Sequence, residues 1–172
     1  SSPISSQGRE SYSISIEAGL LLTGPGKINV GGYEMKPEIS PLVKMNVDGI
    51  LVPKLSMGVS AIFGLLGVDG YDESSNYMSI GGTIKPIFNA GTDMQIKPGL
   101  FVGYNYINND DMRDNSDGLN VGFTLQFAKS LPSGKGFIGE FGFISQPVGG
   151  DGYVDISFPP IFYIMVGFEF GK

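Results

Sequence analysis

The residues of this chain that could do chemistry are carboxylates, lysines and hydroxyl groups, because histidine and cysteine are both absent. The chain therefore has no imidazole base, no thiol nucleophile and no thiolate metal site. Nine charged residues recur at polar positions of alternating segments, and they are Glu17, Lys36, Glu38, Lys44, Lys54, Lys85, Lys97, Glu140 and Glu169. Their charges nearly balance, so we predict an ion-pair network that fills an interior. No catalytic residue, cofactor or metal is expected.

A second group of candidates is the acidic run between residues 108 and 118. Calcium loops place oxygen ligands at alternate positions, whereas Asp111, Asp114 and Asp117 fall at every third position. We therefore predict a solvated loop that contacts external partners and holds no metal. The candidate contact residues are Asp110, Asp111, Arg113, Asp114 and Asp117. The net charge of −6 argues against a nucleic-acid partner.

The dominant pattern along the chain is alternation of apolar with polar or small residues. In the segment 12–22, Ile14, Ile16 and Leu20 alternate with Ser15, Glu17 and Gly19. Such a period of two is typical of a strand with one apolar face. The pattern recurs in eight segments, which begin near residues 12, 36, 51, 78, 94, 119, 137 and 162. Most have the ~9–11 residues that a tilted strand needs to cross a bilayer.

The connections between these segments alternate in length. Short turns are predicted at Asp48–Gly49, at residues 89–92 and at residues 130–134. Longer connections are predicted at residues 24–33, 67–76, 108–118 and 147–160. Short turns at one end and long loops at the other are typical of outer-membrane barrels. The sequence thus predicts an all-β, eight-stranded antiparallel up-and-down transmembrane barrel over residues 11–172, after a flexible segment 1–10.

The two faces of the strands indicate which solvent surrounds the barrel. A soluble carrier barrel encloses its apolar face, whereas a membrane barrel turns that face outwards. The polar face here combines nearly balanced charges with many glycines, which suits a narrow filled interior. The apolar face is almost free of charge, so we predict that it contacts lipid. Pro37 and Pro41 lie on that face without a nearby short turn, and we expect irregular pairing there.

The last segment, 162–170, and the segment 96–104 resemble strands of the small outer-membrane β-barrel family, the OmpA-like and OmpX-like barrels. The resemblance implies that Phe168 and Phe170 form the signal read by the barrel assembly machinery during insertion. It also implies a location in the outer membrane of a Gram-negative-type bacterium, with both termini periplasmic. The implied partners are membrane lipids, the assembly machinery, and proteins at the external loops or in a larger envelope complex.

Three functions are compatible with these features. The first is a porin-like integral barrel with a structural or interaction role, acidic extracellular loops, a Lys/Glu-filled lumen and no catalysis. The second is a narrow channel for ions or small solutes, although the bulky Phe101, Tyr163 and Met165 on the polar face favour a filled lumen. The third is a soluble β-barrel that carries an apolar ligand.

Overall fold

The computed structural model describes residues 12–22, 26–30, 32–68, 74–108, 116–133, 135–145, 156–157 and 160–171. The segment predicted to be flexible, residues 1–10, lies outside them. Twelve strands form within the described residues. They are β1 (Tyr12–Leu22), β2 (Ile28–Val30), β3 (Tyr33–Met35), β4 (Ser40–Val52), β5 (Leu55–Gly67), β6 (Ser74–Pro86), β7 (Phe88–Asn89), β8 (Met94–Asn108), β9 (Ser116–Ser130), β10 (Lys135–Ser145), β11 (Ile156–Ser157) and β12 (Ile161–Gly171). None of these residues forms a helix that could span a membrane.

Eight long strands close into a barrel. Strands β4, β5, β6, β8, β9 and β10 pair with their sequence neighbours among the long strands, all antiparallel. Strand β1 pairs with β4 on one side and with β12 on the other, while β12 also pairs with β10. Closure leaves no free edge, so every long strand has a hydrogen-bonded neighbour on both sides. The predicted eight-stranded up-and-down barrel is confirmed.

The alternation in sequence becomes an inside and an outside. Side chains of the apolar phase are exposed on the outer face, as Val166 is at 53%. Side chains of the polar phase are buried in the lumen, as Glu17 is at 0%. A barrel of this size has an interior just wide enough for side chains. An outer face of exposed Ile, Val, Leu, Met and Phe is the surface of a protein whose solvent is lipid.

The short turns lie at one end of the barrel, which we call the turn end, and the opposite end is the loop end. Two predicted turns are confirmed, since β7 and β8 are joined through residues 90–93 and β9 and β10 through residues 131–134. The hairpin predicted at Asp48–Gly49 is wrong. Both residues lie inside β4, and the chain instead turns at Pro53 and Lys54 after a register shift between Ile50 and Val52.

Prolines interrupt the wall at one level near the turn end. The β6–β8 ladder ends at Ile84, opposite Leu100, and pairing resumes in the same register where β7 faces β8. Continuing the register places Pro86 opposite Pro98. Neither residue has an N–H group to donate, so this rung cannot form. The N–H of Ile87 instead donates to the carbonyl oxygen of Lys54 at 2.8 Å.

The two prolines for which irregular pairing was expected lie at the loop end. Pro37 precedes β4 and forms only an isolated bridge to Val68. Pro41 pairs with Leu20 of β1, but the β4–β5 ladder begins one residue later, so Pro41 lies at its open end. The irregularity is therefore confined to the edge of the wall, where a missing donor costs little.

A small second sheet forms at the loop end. Strand β2 pairs with β3 on one side and with β11 on the other, so the first and the last long loops are joined. Ile28 of β2 is buried, and an ion pair between Lys27 and Glu34 lies on the exposed side. Two of the four predicted loops therefore carry structure of their own next to the mouth of the barrel.

Candidate functional site

The lumen is the candidate functional site, and its half nearest the loops holds most of the buried apolar side chains beside the buried polar residues Ser79, Asn105 and Asn120. Ten buried residues from the loop-end halves of the strands form one cluster, which we call the loop-end cluster. They are Leu21, Leu42, Ile62, Leu66, Tyr77, Ile107, Ile144, Ile161, Tyr163 and Met165. Alternation alone predicted a polar lumen, but apolar residues in the polar phase of seven of the eight barrel strands converge here. These buried side chains pack against one another inside the barrel wall below the loops.

An ion pair lies beneath the loop-end cluster. The ammonium group of Lys44 donates to Glu140 Oε1, with both side chains buried. The Tyr163 hydroxyl donates to the same oxygen at 2.8 Å, and the Gln126 amide donates to Glu140 Oε2 at 3.2 Å. The Tyr163 ring also lies 5.8 Å from the Lys44 ammonium, within cation–π range. Pairing and hydrogen bonds offset the cost of burying these two charges.

Two more ion pairs lie nearer the turn end. Lys85 Nζ lies 2.8 Å from Asp48 Oδ2, and Thr83 donates to the other oxygen of that carboxylate at 3.3 Å. Lys97 Nζ lies 2.9 Å from Glu169 Oε1. The Lys85 pair is buried, whereas the Lys97 pair is partly reached by solvent. Exposure of the pairs therefore increases towards the turn end.

Glu17 is the lumen carboxylate that no described lysine neutralises directly. Its partner in the β1–β4 register is Lys44, but the Lys44 ammonium bonds to Glu140 instead. Glu17 Oε1 accepts hydrogen bonds from Ser15 and from the Asn46 amide, which lies at 2.8 Å. Its Oε2 atom is buried and has no donor among the described residues. Four carboxylates and three lysines thus face one another in the lumen.

Glycines in the polar phase make room for the largest lumen side chains. Gly81 and Gly103 face each other across β6 and β8, and a Cβ added to either would lie 2.8 Å or less from the Phe101 ring. A Cβ on Gly142 would lie 2.4 Å from the Tyr163 ring. The two aromatic rings can cross a narrow lumen because the facing positions have no side chain.

A partly open cavity of about 290 Å³ lies at the turn end, and we call it the vestibule. The Lys97–Glu169 pair and Asp48 line its inner part, and Ser130 and Lys135 line its mouth. It is separated from the loop end by the buried ion pairs and by the loop-end cluster. Among the described residues, the lumen therefore has a cavity at the turn end and closely packed side chains above it.

The structure brings six of the nine predicted lumen residues together, namely Glu17, Lys44, Lys85, Lys97, Glu140 and Glu169. The other three, Lys36, Glu38 and Lys54, are exposed. Lys36 and Glu38 precede β4, and Lys54 lies in the turn after it, because the strand begins and ends about four residues later than predicted. Their placement outside the lumen corrects the sequence-based assignment.

Sequence reasoning also missed two residues of the lumen network. Asp48 was taken for a turn residue because it precedes a glycine, although it occupies the polar phase of its strand and pairs with Lys85. Gln126, which the sequence analysis did not single out, bridges Glu140 and Glu17, the latter at 3.4 Å. The position of Asp48 in the polar phase of the alternating pattern was the signal that could have assigned it to the lumen.

Four of the predicted loop contacts, Asp110, Asp111, Arg113 and Asp114, lie outside the described residues. Asp117 is the exception, and it belongs to β9 on the outer face of the barrel, where it accepts a hydrogen bond from the Tyr104 hydroxyl. Phe168 and Phe170, the predicted assembly signal, face outwards near the end of β12. No group of three or more metal-ligating side chains occurs among the described residues.

The closed wall, the apolar outer face and the filled lumen define the class of this protein as a transmembrane β-barrel. Its fold is that of small eight-stranded outer-membrane barrels, so the resemblance read from the sequence is confirmed at the level of fold. No protein-family model matches the chain, and no curated protein matches it in sequence. The likeness therefore rests on structure alone.

Two solved structures illustrate the likeness. The outer membrane protein OprG from Pseudomonas aeruginosa is similar with a TM-score of 0.67 at 14% identity, over 95% of this chain and 96% of that one. Neisserial surface protein A is similar with a TM-score of 0.64 at 10% identity, over 94% of this chain and 99% of that one. At such identities the likeness establishes architecture and leaves the role to the site.

Proposed function

We propose that this protein is an integral barrel of a bacterial outer membrane that acts as a structural or interaction protein and does no catalysis. The observation that carries the proposal is the combination of an apolar outer face with a lumen blocked by side chains. Such a barrel can hold loops at a membrane surface, but it offers no continuous path through the bilayer. Its activity would then reside in the loops and not in the lumen.

The orientation follows from the two ends of the barrel. In outer-membrane barrels the short turns are periplasmic and the long loops external. Residues Tyr12 and Gly171, near the two termini, both lie at the turn end. We therefore place both termini in the periplasm. The predicted loops at residues 67–76, 108–118 and 147–160 then lie on the external side of the membrane. Together they carry nine acidic residues and the single base Arg113.

The acidic loops favour cationic external partners. A surface with such an excess of negative charge attracts positive groups, and this attraction weakens as the salt concentration rises. A first test uses polylysine as the probe, with the chain in bilayer vesicles. Changing Asp110, Asp111 and Asp114 together to Asn should weaken binding several-fold at low salt. Retention of full binding would contradict the interaction role of this loop.

Several features favour this role over an enzyme or a channel. The buried Lys44–Glu140 pair is shielded from bulk water, so it is poorly placed to meet a substrate. The apolar side chains of the loop-end cluster pack inside the barrel, which disfavours the passage of hydrated ions. A soluble carrier is disfavoured because the exposed apolar residues lie on the outside of the wall.

Planar-bilayer recording of the full chain, with heat-modifiable gel migration on the same sample, tests the proposal. We expect a folded species that shifts on heating and a bilayer without steady conductance at either polarity. Replacing Leu42 and Ile62 of the loop-end cluster by Gly should produce leakage, whereas Val43→Gly and Phe63→Gly on the outer face should not. Stable conductance steps from the unmodified chain would instead establish the channel.

A further inference from the structure

We propose that Lys129 and Lys135 form, on the outer wall at the turn end, a binding site for the headgroup of an anionic glycerophospholipid. The inference rests on the proposed membrane location and adds a specific ligand to it. The ammonium groups bind the lipid phosphate, and the phenylalanines around them pack against its acyl chains. We call these two lysines with Phe137, Phe168 and Phe170 the lysine–phenylalanine patch.

The first observation is the rarity of charge on the outer face. Among the outward positions of the eight described barrel strands, only Asp117, Lys129 and Lys135 carry a charge. Asp117 lies at the loop end, where Tyr104 donates to it. The two lysines lie at the turn end, on neighbouring strands. A charge on a lipid-facing wall is costly near the bilayer centre and tolerated near the interface, so these positions mark the headgroup level.

The second observation is the spacing of the two lysines. Lys129 of β9 is opposite Phe137 of β10, and Lys135 lies two residues before Phe137 on the same face. The lysines are therefore diagonal neighbours, with Cα atoms about 7–8 Å apart. Flexible lysine side chains at this distance can bring both ammonium groups to one phosphate.

The third observation is the aromatic floor of the patch. The Lys135 ammonium lies 5.8 Å from the centroid of the Phe170 ring, and the Phe137 and Phe168 rings meet edge to face at 6.0 Å. All three rings are exposed on the outer face. A lysine stem that lies along apolar surface keeps its charged end at the polar interface, where lipid phosphates are.

The fourth observation is the charge around the site. At the turn end the exposed charged residues that the structure describes are Lys54, Asp93, Lys129 and Lys135, an excess of positive charge. Glu169 and Asp48 lie in the lumen and are engaged by Lys97 and Lys85. The loop end is acidic in sequence. An anionic ligand is therefore favoured at the turn end.

The occupant is a lipid because of where the patch faces. The side chains share the outer phase with Phe127 and Phe141, which meet the bilayer in a membrane barrel. A soluble anion reaches the ammonium groups only from the rim and gains nothing from the rings. A phospholipid gains both contacts, so the patch should distinguish it from inorganic phosphate.

The test measures which lipids remain with the purified full chain. The chain is reconstituted in vesicles of phosphatidylcholine with one fifth phosphatidylglycerol, extracted in mild detergent, and the retained lipids are quantified by mass spectrometry. Each interfacial lysine contributes about five-fold to anionic-lipid binding. We expect phosphatidylglycerol enrichment of about ten-fold or more, which is lost in Lys129→Gln with Lys135→Gln.

The matched control is Lys54→Gln, which removes the same charge at the same end but away from the patch. It should retain the enrichment, and the single variants Lys129→Gln and Lys135→Gln should each lose several-fold. An unchanged enrichment in the double variant would overturn the site, as would an equal loss in the Lys54 control. Displacement of phosphatidylglycerol by an equal concentration of inorganic phosphate would overturn its assignment to a lipid.

Failure of the site is distinguishable from failure of the proposed function. If the chain stays in solution without detergent and shows no heat-dependent migration, the membrane location itself is wrong. If the chain inserts and migrates as a folded barrel but retains both lipids equally, only the lysine–phenylalanine patch is refuted.

Discussion

The two halves of the lumen are filled in different ways although one wall encloses both. Near the loops, mainly aliphatic side chains pack into a cluster without charges, and the Tyr163 hydroxyl links it to the ion pair of Glu140 below. Near the turns, Lys85 and Lys97 pair with carboxylates beside a cavity of about 290 Å³. The same alternation in sequence thus supports two interiors, because it fixes only which side chains point inwards.

The two halves of the lumen contribute differently to the free energy of unfolding. Burial of the loop-end cluster contributes free energy roughly in proportion to the apolar area removed from solvent. A buried ion pair contributes little net stability, because desolvation offsets the attraction, yet losing one partner is costly. We therefore expect the loss of one partner of a buried pair to cost most, truncation in the loop-end cluster to cost somewhat less, and loss of the solvent-reached pair to cost least.

The largest effect is expected at the buried pair. Lys44→Met should lower the free energy of unfolding by about 3–5 kcal/mol, because Glu140 is left buried without its cation. Urea unfolding in lipid vesicles, followed by heat-modifiable migration, measures this. Adding Glu140→Gln to Lys44→Met should recover most of the loss. A double variant as unstable as the single would show that packing, and not charge, sets the cost.

A somewhat smaller effect is expected in the loop-end cluster. Leu42→Ala removes buried methyl groups and leaves a cavity, which should cost about 2–5 kcal/mol. The neighbouring Val43→Ala faces outwards and serves as the control in the same unfolding assay. Equal losses in the two variants would contradict the assignment of inner and outer faces.

Where the two halves meet, the Tyr163 ring crosses the lumen over Gly142. A methyl group at this position would lie 2.4 Å from the ring, so Gly142→Ala should cost about 1–3 kcal/mol through overpacking. In the same strand, Gly139 has open space where its Cβ would be, and Gly139→Ala is the matched control. If Gly142→Ala is as stable as that control, the ring does not occupy the lumen as described.

The smallest effect is expected at the vestibule. Lys97→Gln should lower the free energy of unfolding by only about 1 kcal/mol, because solvent partly reaches this pair and Ser13 still donates to Glu169. The loss should shrink further at high salt. A cost as large as that of Lys44→Met would erase the proposed difference between the two pairs.

The sequence predicted the strands of the barrel wall better than the side-chain contacts inside the lumen. Period and turn composition located the eight strands, the two faces and the turns near residues 90 and 132, because those signals are local. The bounds of β4 were missed, because a glycine after Asp48 resembles a turn although the polar phase continues through it. That shift moved Lys36, Glu38 and Lys54 out of the lumen.

Which lumen residues pair with one another could not be predicted from the sequence, for a geometric reason. Lys44 and Glu140 lie 96 residues apart, and only closure of the barrel brings them together. The loop-end cluster has the same origin, since single aliphatic residues such as Leu21 and Ile107 interrupt the polar phase without any local signal. Alternation predicts the direction of a side chain, and the curvature of the wall decides what it meets.

The two prolines that face each other between β6 and β8 give the cylinder a built-in seam. At that level no backbone hydrogen bond joins the two strands. The nearest backbone contact is the hydrogen bond from the Ile87 N–H to Lys54 in the neighbouring turn. We expect amide protons of residues 85–89 to exchange with deuterium sooner than those at the same depth on the opposite side. If the barrel begins to open, we expect the strands to separate first at this level.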